Sequence, residues 1–338
     1  MAPPPFDWSG RKVFVTGATG IVGSWLVKRL ADVGASVVAL VRDWDPQTEL
    51  IRSGDVMRTS VVSGRLEDYA TLERAINEHE VDTVFHLGAQ PIVTTALRNP
   101  LPTFEANIRG TYNLLDACRV HQSLVKRIVV ASSDKAYGDA PVLPYTEDMP
   151  ANGRHPYDVS KSCTDLLSLT YAHTYGLPIT VARCGNIYGG GDLNWSRIVP
   201  GTIRSLYRGE RPIIRSNGLF TRDYIYVQDV VDGYLRLAER CTDEGVRGEA
   251  FNFSPETRVT VIEITKIIQR LMHREDLEPA ILDQARGEIR DQYLDSSKAK
   301  QRLAWSARHT LESGLGETIA WYRRFLDATT PRVADALH

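Results

Sequence analysis

The chain has 338 residues, 43% of them hydrophobic and 24% charged, enough apolar material for a large core in one domain or two closely joined ones. Its formal net charge of −2 shows no basic excess, so nucleic acid and anionic membranes are not expected as partners, and no run approaches the roughly 18 apolar residues of a membrane span. Cys118, Cys163, Cys184 and Cys241 form no Cys-x-x-Cys pair and have no adjacent histidines; they read as reduced thiols without a bound metal, and with no signal-like N-terminus the expected location is the cytoplasm.

In chain order, short β-branched runs alternate with amphipathic segments. Residues 13–16, 37–41, 59–62, 83–87, 127–131 and 179–183 read as strands, and 21–33, 69–79 and 104–121 as helices between them. Such alternation predicts an α/β fold, a doubly wound parallel sheet covered by helices on both faces. This first domain is expected to span 10–185 and to take back a return segment at about 223–250, where 224–235 reads as a strand entering a helix. After Arg183 the texture changes to loops, a basic helix around Arg204, and short strands at 213–215 and 251–253. A smaller α/β domain is therefore expected from 186–222 and 251–328.

Gly17, Gly20 and Gly23 lie between the first strand and the first helix, where backbone amides at a helix N-terminus can receive a pyrophosphate. Their Gly-x-x-Gly-x-x-Gly spacing departs from the usual Gly-x-Gly-x-x-Gly. At the end of the second strand, an acid favours a free ribose 2′-hydroxyl and an arginine a 2′-phosphate. Arg42 and Asp43 offer both, so NAD and NADP remain open, with Arg42 favouring NADP.

Ser133, Asp134 and Lys135 directly follow the fifth predicted strand, at the carboxyl end where open α/β sheets bind ligands. Tyr157 and Lys161 sit four apart, one face of a helix, where the cation can lower the phenol's pKa. In that arrangement Ser133 donates to a substrate hydroxyl, Tyr157 removes its proton, and Lys161 holds the nicotinamide ribose. A lone Tyr-x-x-x-Lys is weak, but the glycine loop, strand-end serine and Tyr-x-x-x-Lys in this order are jointly specific. His86, at the end of an apolar strand, reads as a satisfied core histidine.

With these motifs the chain resembles the extended short-chain dehydrogenases/reductases, in the nucleotide-sugar epimerase and dehydratase group. The likeness spans nearly the whole length and rests also on His86-Leu-Gly-Ala-Gln90, Arg183-Cys-Gly-Asn-Ile-Tyr-Gly189, Arg222-Asp-Tyr-Ile-Tyr-Val227 and Leu294-Asp-Ser-Ser-Lys-Ala-Lys300. It implies a modified Rossmann domain with a tightly held, recycled NAD or NADP, a second domain for a nucleoside diphosphate sugar, and a homodimer formed through two long helices. Thr19, Ile21, Val22, Leu66, Leu87 and Ala89 are expected along the cofactor, with Gln90 near both cofactor and substrate. Arg65 is assigned to the adenine side, although relatives usually carry aspartate there. Asn186, Arg197, Arg204, Arg222 and Arg290 are assigned to the substrate, the diphosphate above all, because arginines suit phosphate oxygens.

Within the group, epimerases need only the serine or threonine, tyrosine and lysine, whereas 4,6-dehydratases add an acid and a base directly after the serine or threonine. Asp134 and Lys135 fill those places, and the Asp-Lys pair is similar to that of CDP-glucose 4,6-dehydratases. The resemblance implies C4 oxidation, loss of water across C5–C6, and hydride return to C6, with Lys135 as C5 base and Asp134 as acid. A 4-epimerase, another UDP- or GDP-sugar dehydratase, and a non-catalytic NAD(P)-binding scaffold are the alternatives.

Overall fold

The computed structural model describes residues 6–284 and 289–329. Its strands are β1 (Lys12–Thr16), β2 (Ser36–Val41), β3 (Thr59–Ser63), β4 (Thr83–His86), β5 (Arg127–Ala131), β6 (Ile179–Cys184), β7 (Asn186–Tyr188), β8 (Ile213–Ile214), β9 (Thr221–Tyr226), β10 (Ala250–Phe253), β11 (Arg258–Thr260), β12 (Ala280–Ile281) and β13 (Asp291–Gln292). The central sheet runs β10-β6-β5-β4-β1-β2-β3, parallel throughout. The order reverses at β1, so the chain diverges to either side of the β1/β4 junction and leaves a crevice at the carboxyl ends of those strands.

Why these runs are strands follows from their burial: Val13, Phe14, Val15, Val84, Phe85, Ile128, Val129 and Val130 are completely buried, as a sheet covered on both faces requires. One face packs on Leu26, Val27 and Leu30 of helix Ile21–Asp32 and Val230 and Leu237 of helix Val227–Arg240. The other packs on Leu72 and Ile76 of helix Tyr69–Glu78 and Leu114, Leu115 and Cys118 of helix Gly110–Val120. A separate core forms below the crevice, where Val199, Ile203, Ile264, Ile268, Leu315, Trp321 and Phe325 pack beneath β7 and β9.

Two expectations are corrected. The run 251–253 does not belong with the second domain: Phe251 and Phe253 are fully buried in β10, which pairs with β6 at the edge of the central sheet. The helix expected over 104–121 is broken. It begins as Pro100–Phe104, widens into a π-turn at Glu105–Arg109 and continues as Gly110–Val120. The Asn107 carbonyl accepts from Thr111 Oγ1 and Thr164 Oγ1, at 2.5 and 3.1 Å, while its amide nitrogen donates to Ser160 Oγ at 2.9 Å. The widened turn thus ties this segment to helix Pro156–Tyr175, the helix that carries Tyr157 and Lys161.

Candidate active site

Gly17 adopts φ +69°, and a Cβ there would lie 2.7 Å from the Gly88 nitrogen; one on Gly23 would lie 2.1 Å from the Gly17 carbonyl. The glycines therefore let the first loop cross closely against β4 and against its own helix. Helix Ile21–Asp32 opens at Gly20 without a side-chain cap, leaving its first amides free to face the crevice. Between this loop and the lower core lies a cleft of about 1070 Å³.

Gly17, Thr19, Gly20, Ile21 and Val22 line one end of the cleft, with Arg42, Asp43 and Leu66 beyond them and Leu87 and Ala89 along its floor. Ser133, Asp134, Lys135, Tyr157 and Lys161 meet at its middle, and Asn186, Arg197, Arg204 and Arg222 line the opposite wall. Arg65, Gln90 and Arg290 are not brought to the cleft. Leu66 turns inward after β3, so its neighbour Arg65 turns out to solvent. Gln90 spends its side chain closing its own loop, on Ile92 and on Thr103 Oγ1 at 2.8 Å. Arg290 is 77% exposed, its Nε 3.8 Å from Asp291 Oδ2, while its carbonyl accepts from the Thr221 amide at 3.1 Å and Arg222 Nη1 at 2.7 Å.

Ser133 caps the short turn Asp134–Tyr137, its Oγ accepting from the Lys135 amide at 3.2 Å and donating to Asp134 Oδ1 at 2.9 Å. That turn projects Asp134 and Lys135 into the cleft. Lys135 Nζ lies 4.0 Å from Asp134 Oδ2 and donates to Gln292 Oε1. Lys161 is buried and donates to the Ala131 carbonyl at 2.8 Å; burial lowers its pKa to about 8, against the raising influence of Asp165. Burial raises the Tyr157 phenol to about 12, opposed by the charge of Arg197 and a hydrogen bond with Ser133. Arg197 is held by Asp192 at 2.9 Å, and the preceding loop is fixed by Trp25 Nε1, which donates to the Gly190 carbonyl at 2.8 Å.

Behind the cleft, His86 bonds Thr16 Oγ1 and Thr111 Oγ1 at 2.9 and 3.0 Å, and burial lowers it to about 3, so it stays neutral. It is the satisfied core histidine expected. Asp165, one turn after Lys161, accepts from Ser132 Oγ at 2.5 Å and pairs with Arg183. Sequence reasoning missed Asp165 and Gln292. The i, i+4 spacing from Lys161 was a visible signal for the first, whereas Gln292 meets Lys135 across 157 residues.

Residues 13–253 match the NAD dependent epimerase/dehydratase family. CDP-glucose 4,6-dehydratase from Salmonella typhimurium is 32% identical, the alignment covering 94% of this chain and 92% of that protein. The chain belongs to the NAD dependent epimerase/dehydratase family. Within it, dTDP-glucose 4,6-dehydratase from Neisseria meningitidis is 29% identical over 92% of this chain and 93% of that one. Among solved structures, a UDP-glucose 4-epimerase from Thermotoga maritima superposes with a TM-score of 0.84 at 29% identity, covering 93% of this chain and 99% of the other. A dTDP-glucose 4,6-dehydratase from Streptomyces venezuelae, with NAD bound, gives 0.83 at 25% identity over 94% and 98%.

The family's nicotinamide dinucleotide suits the residues present. The uncapped helix beyond Gly20 leaves backbone amides for a pyrophosphate, and the loop before it can lie there only because Gly17 and Gly23 have no Cβ to strike the Gly88 and Gly17 backbone. At the far end, Arg42 Nε sits 2.6 Å from Asp43 Oδ2, both more than half exposed, so arginine and acid line the cleft together. Among the described residues, no helix of this family member is long and apolar enough to cross a membrane.

Proposed function

We propose that this chain is a nucleotide-sugar 4,6-dehydratase, with CDP-glucose the favoured substrate, yielding the 4-keto-6-deoxy sugar and water. One observation carries the reading: Asp134 and Lys135 project from the Ser133 turn into the same cleft as Tyr157 and Lys161. A 4-epimerase has no use for that added pair.

When bound, the nicotinamide supplies a positive charge and reversible hydride chemistry, taking hydride from C4 and returning it at C6. Tyr157 accepts the proton of the C4 hydroxyl while Ser133 donates to the same oxygen, and Lys161, cationic below about pH 8, steadies the phenolate and holds the nicotinamide ribose. With C4 a ketone, the C5 hydrogen is acidic and the 6-hydroxyl is a β-leaving group. Lys135, in its neutral form, takes the C5 proton, and Asp134 protonates the departing hydroxyl, which leaves as water. Lys135 would return its proton to C5 as the reduced nicotinamide's hydride chemistry is used at C6, and the proton that Tyr157 took from the C4 hydroxyl would restore Asp134, so that both groups end as they began. Asn186, Arg204 and Arg222 are assigned to the diphosphate and Arg197 to the sugar end, where its charge also favours the phenolate.

A homodimer in the cytoplasm is the proposed state. Leu101, Tyr112 and Leu166 are exposed on the helical layer formed by residues 100–120 and helix Pro156–Tyr175, which a second copy would cover. Light scattering that gives a monomer mass would reject that part.

The epimerase reading is kept because the Thermotoga maritima 4-epimerase superposes as well as the dehydratases do. Incubating the protein with CDP-, dTDP-, UDP- and GDP-hexoses separates the two. A 4-keto-6-deoxy product supports dehydration, a C4-inverted hexose supports epimerisation, and bound dinucleotide with no turnover on any sugar supports a scaffold. Lys135→Ala should lose the keto-deoxy product while substrate still reduces the cofactor; unchanged product would remove Lys135 from the chemistry.

A further inference from the structure

We propose that Gln292 is the positioning residue of the elimination step, a neutral acceptor that aims the Lys135 amine without fixing it as an ammonium ion. The proposal rests on the dehydratase reading and on the role given there to Lys135.

Gln292 is fully buried yet lines the cleft, and its Oε1 accepts from Lys135 Nζ. Its backbone is held from two sides. In β13 it pairs with Arg222 of β9, and the next residue, Tyr293, gives its carbonyl to the Tyr145 amide at 3.0 Å. The amine of Lys135, on a short turn at the other side of the cleft, is thus tethered to a strand that the lower core and the Tyr145 loop both clamp.

The choice of an amide over an acid follows from the chemistry asked of Lys135. Asp134 already stands 4.0 Å from the amine, and the Asp158 carboxyl is close enough to sense the lysine's charge. A further carboxylate would hold the lysine protonated, and a protonated lysine has no lone pair for the C5 hydrogen. The amide oxygen carries no charge and accepts equally from either form. A neutral amine can give an N–H to Gln292 and still act as a base through its lone pair. After C5 deprotonation the ammonium gives the same bond, so the tether survives the proton transfer.

The test uses the full chain loaded with cofactor and supplied with CDP-glucose, following cofactor reduction and keto-deoxy product separately. In Gln292→Glu, the ascending, acid-side limb of the dehydration pH profile, set by deprotonation of Lys135, should move up by about 1–3 units, as for an amine given a new carboxylate neighbour. At neutral pH reduced cofactor should then accumulate. Gln292→Met, which keeps the volume and introduces no charge, should lower dehydration about 100-fold, the cost of a misplaced catalytic group, with much less effect on C4 oxidation and no upward shift of the limb. If Gln292→Glu does not fold, the Met variant alone decides through the split between the two readouts. Wild-type dehydration rates and pH profile in these variants would overturn the role of Gln292 and leave the dehydratase reading standing. Wild-type protein that makes no keto-deoxy product from any nucleotide hexose would overturn both.

Discussion

Arg183 Nη2 lies 2.8 Å from Asp165 Oδ1 and its Nε 3.1 Å from Asp165 Oδ2, a two-pronged pair whose side chains are 5% and 1% exposed. It joins β6 to the helix of Tyr157 and Lys161. Through Ser132 it also fixes the end of β5 from which the next residues enter the cleft.

Asp165→Ala should therefore destabilise the protein by about 3–5 kcal/mol, because it strands a buried guanidinium. Urea unfolding checks this, with the denaturant slope expected to stay constant. A loss below 1 kcal/mol would mean the arginine finds water or another acceptor.

Tyr157→Phe removes the base of the first step and leaves the ring packing intact. Stopped-flow measurement of cofactor reduction on adding substrate should show a fall of about 10²- to 10⁴-fold, and product formation should fall with it. Normal reduction in this variant would place the base elsewhere.

Asp223 predicts a pH dependence of stability. Burial raises its carboxyl to about 7, above its usual value near 4, although Ser254 Oγ and the Leu294 amide donate to it. Between those values the folded chain holds a proton that the unfolded chain has released. Its contribution is full below pH 4 and is lost as pH rises through about 7, by about 1.4 kcal/mol per unit in that window. Asp223→Asn should flatten that slope and gain on wild type at pH 8 but not at pH 4. Equal slopes in the two proteins, read by unfolding at several pH values, would reject the assignment.

Gly190→Ala tests the loop leading to Arg197. The added methyl would lie 2.3 Å from the Trp321 ring, which stacks on Phe325 and cannot easily withdraw. A destabilisation of about 1–3 kcal/mol is expected. The KM for nucleotide sugar should rise with it, since Asp192 and Arg197 follow directly. An unchanged KM would separate the loop's packing from substrate binding.

What the sequence revealed was whatever is local. The alternation of strand and helix, the glycines that must cross a neighbouring backbone, and the four-residue step from Tyr157 to Lys161 all depend on residues close in the chain. The strand at 251–253 was legible, but its place at the edge of the central sheet was not, because Ala250 and Phe253 find their partners at Val181 and Cys184, far earlier in the sequence. Arg290 was assigned by residue type and Arg65 by its place in the family pattern, yet the direction of a side chain near a strand end depends on neighbours no short window contains. Gln292 was hidden for the same reason: an amide in a short strand has no identity as a tether until the amine it meets is in place.

The chain leaves the central sheet after Cys184 and rejoins it at Ala250, carrying Asn186, Arg197, Arg204 and Arg222 of the cleft on an excursion that begins and ends at that sheet. A single proteolytic nick or gene truncation cannot release either half as a self-sufficient unit. New sugar preferences would have to arise by substitutions within that excursion and the C-terminal segment, since no modular exchange of a whole lobe leaves the sheet closed at its edge.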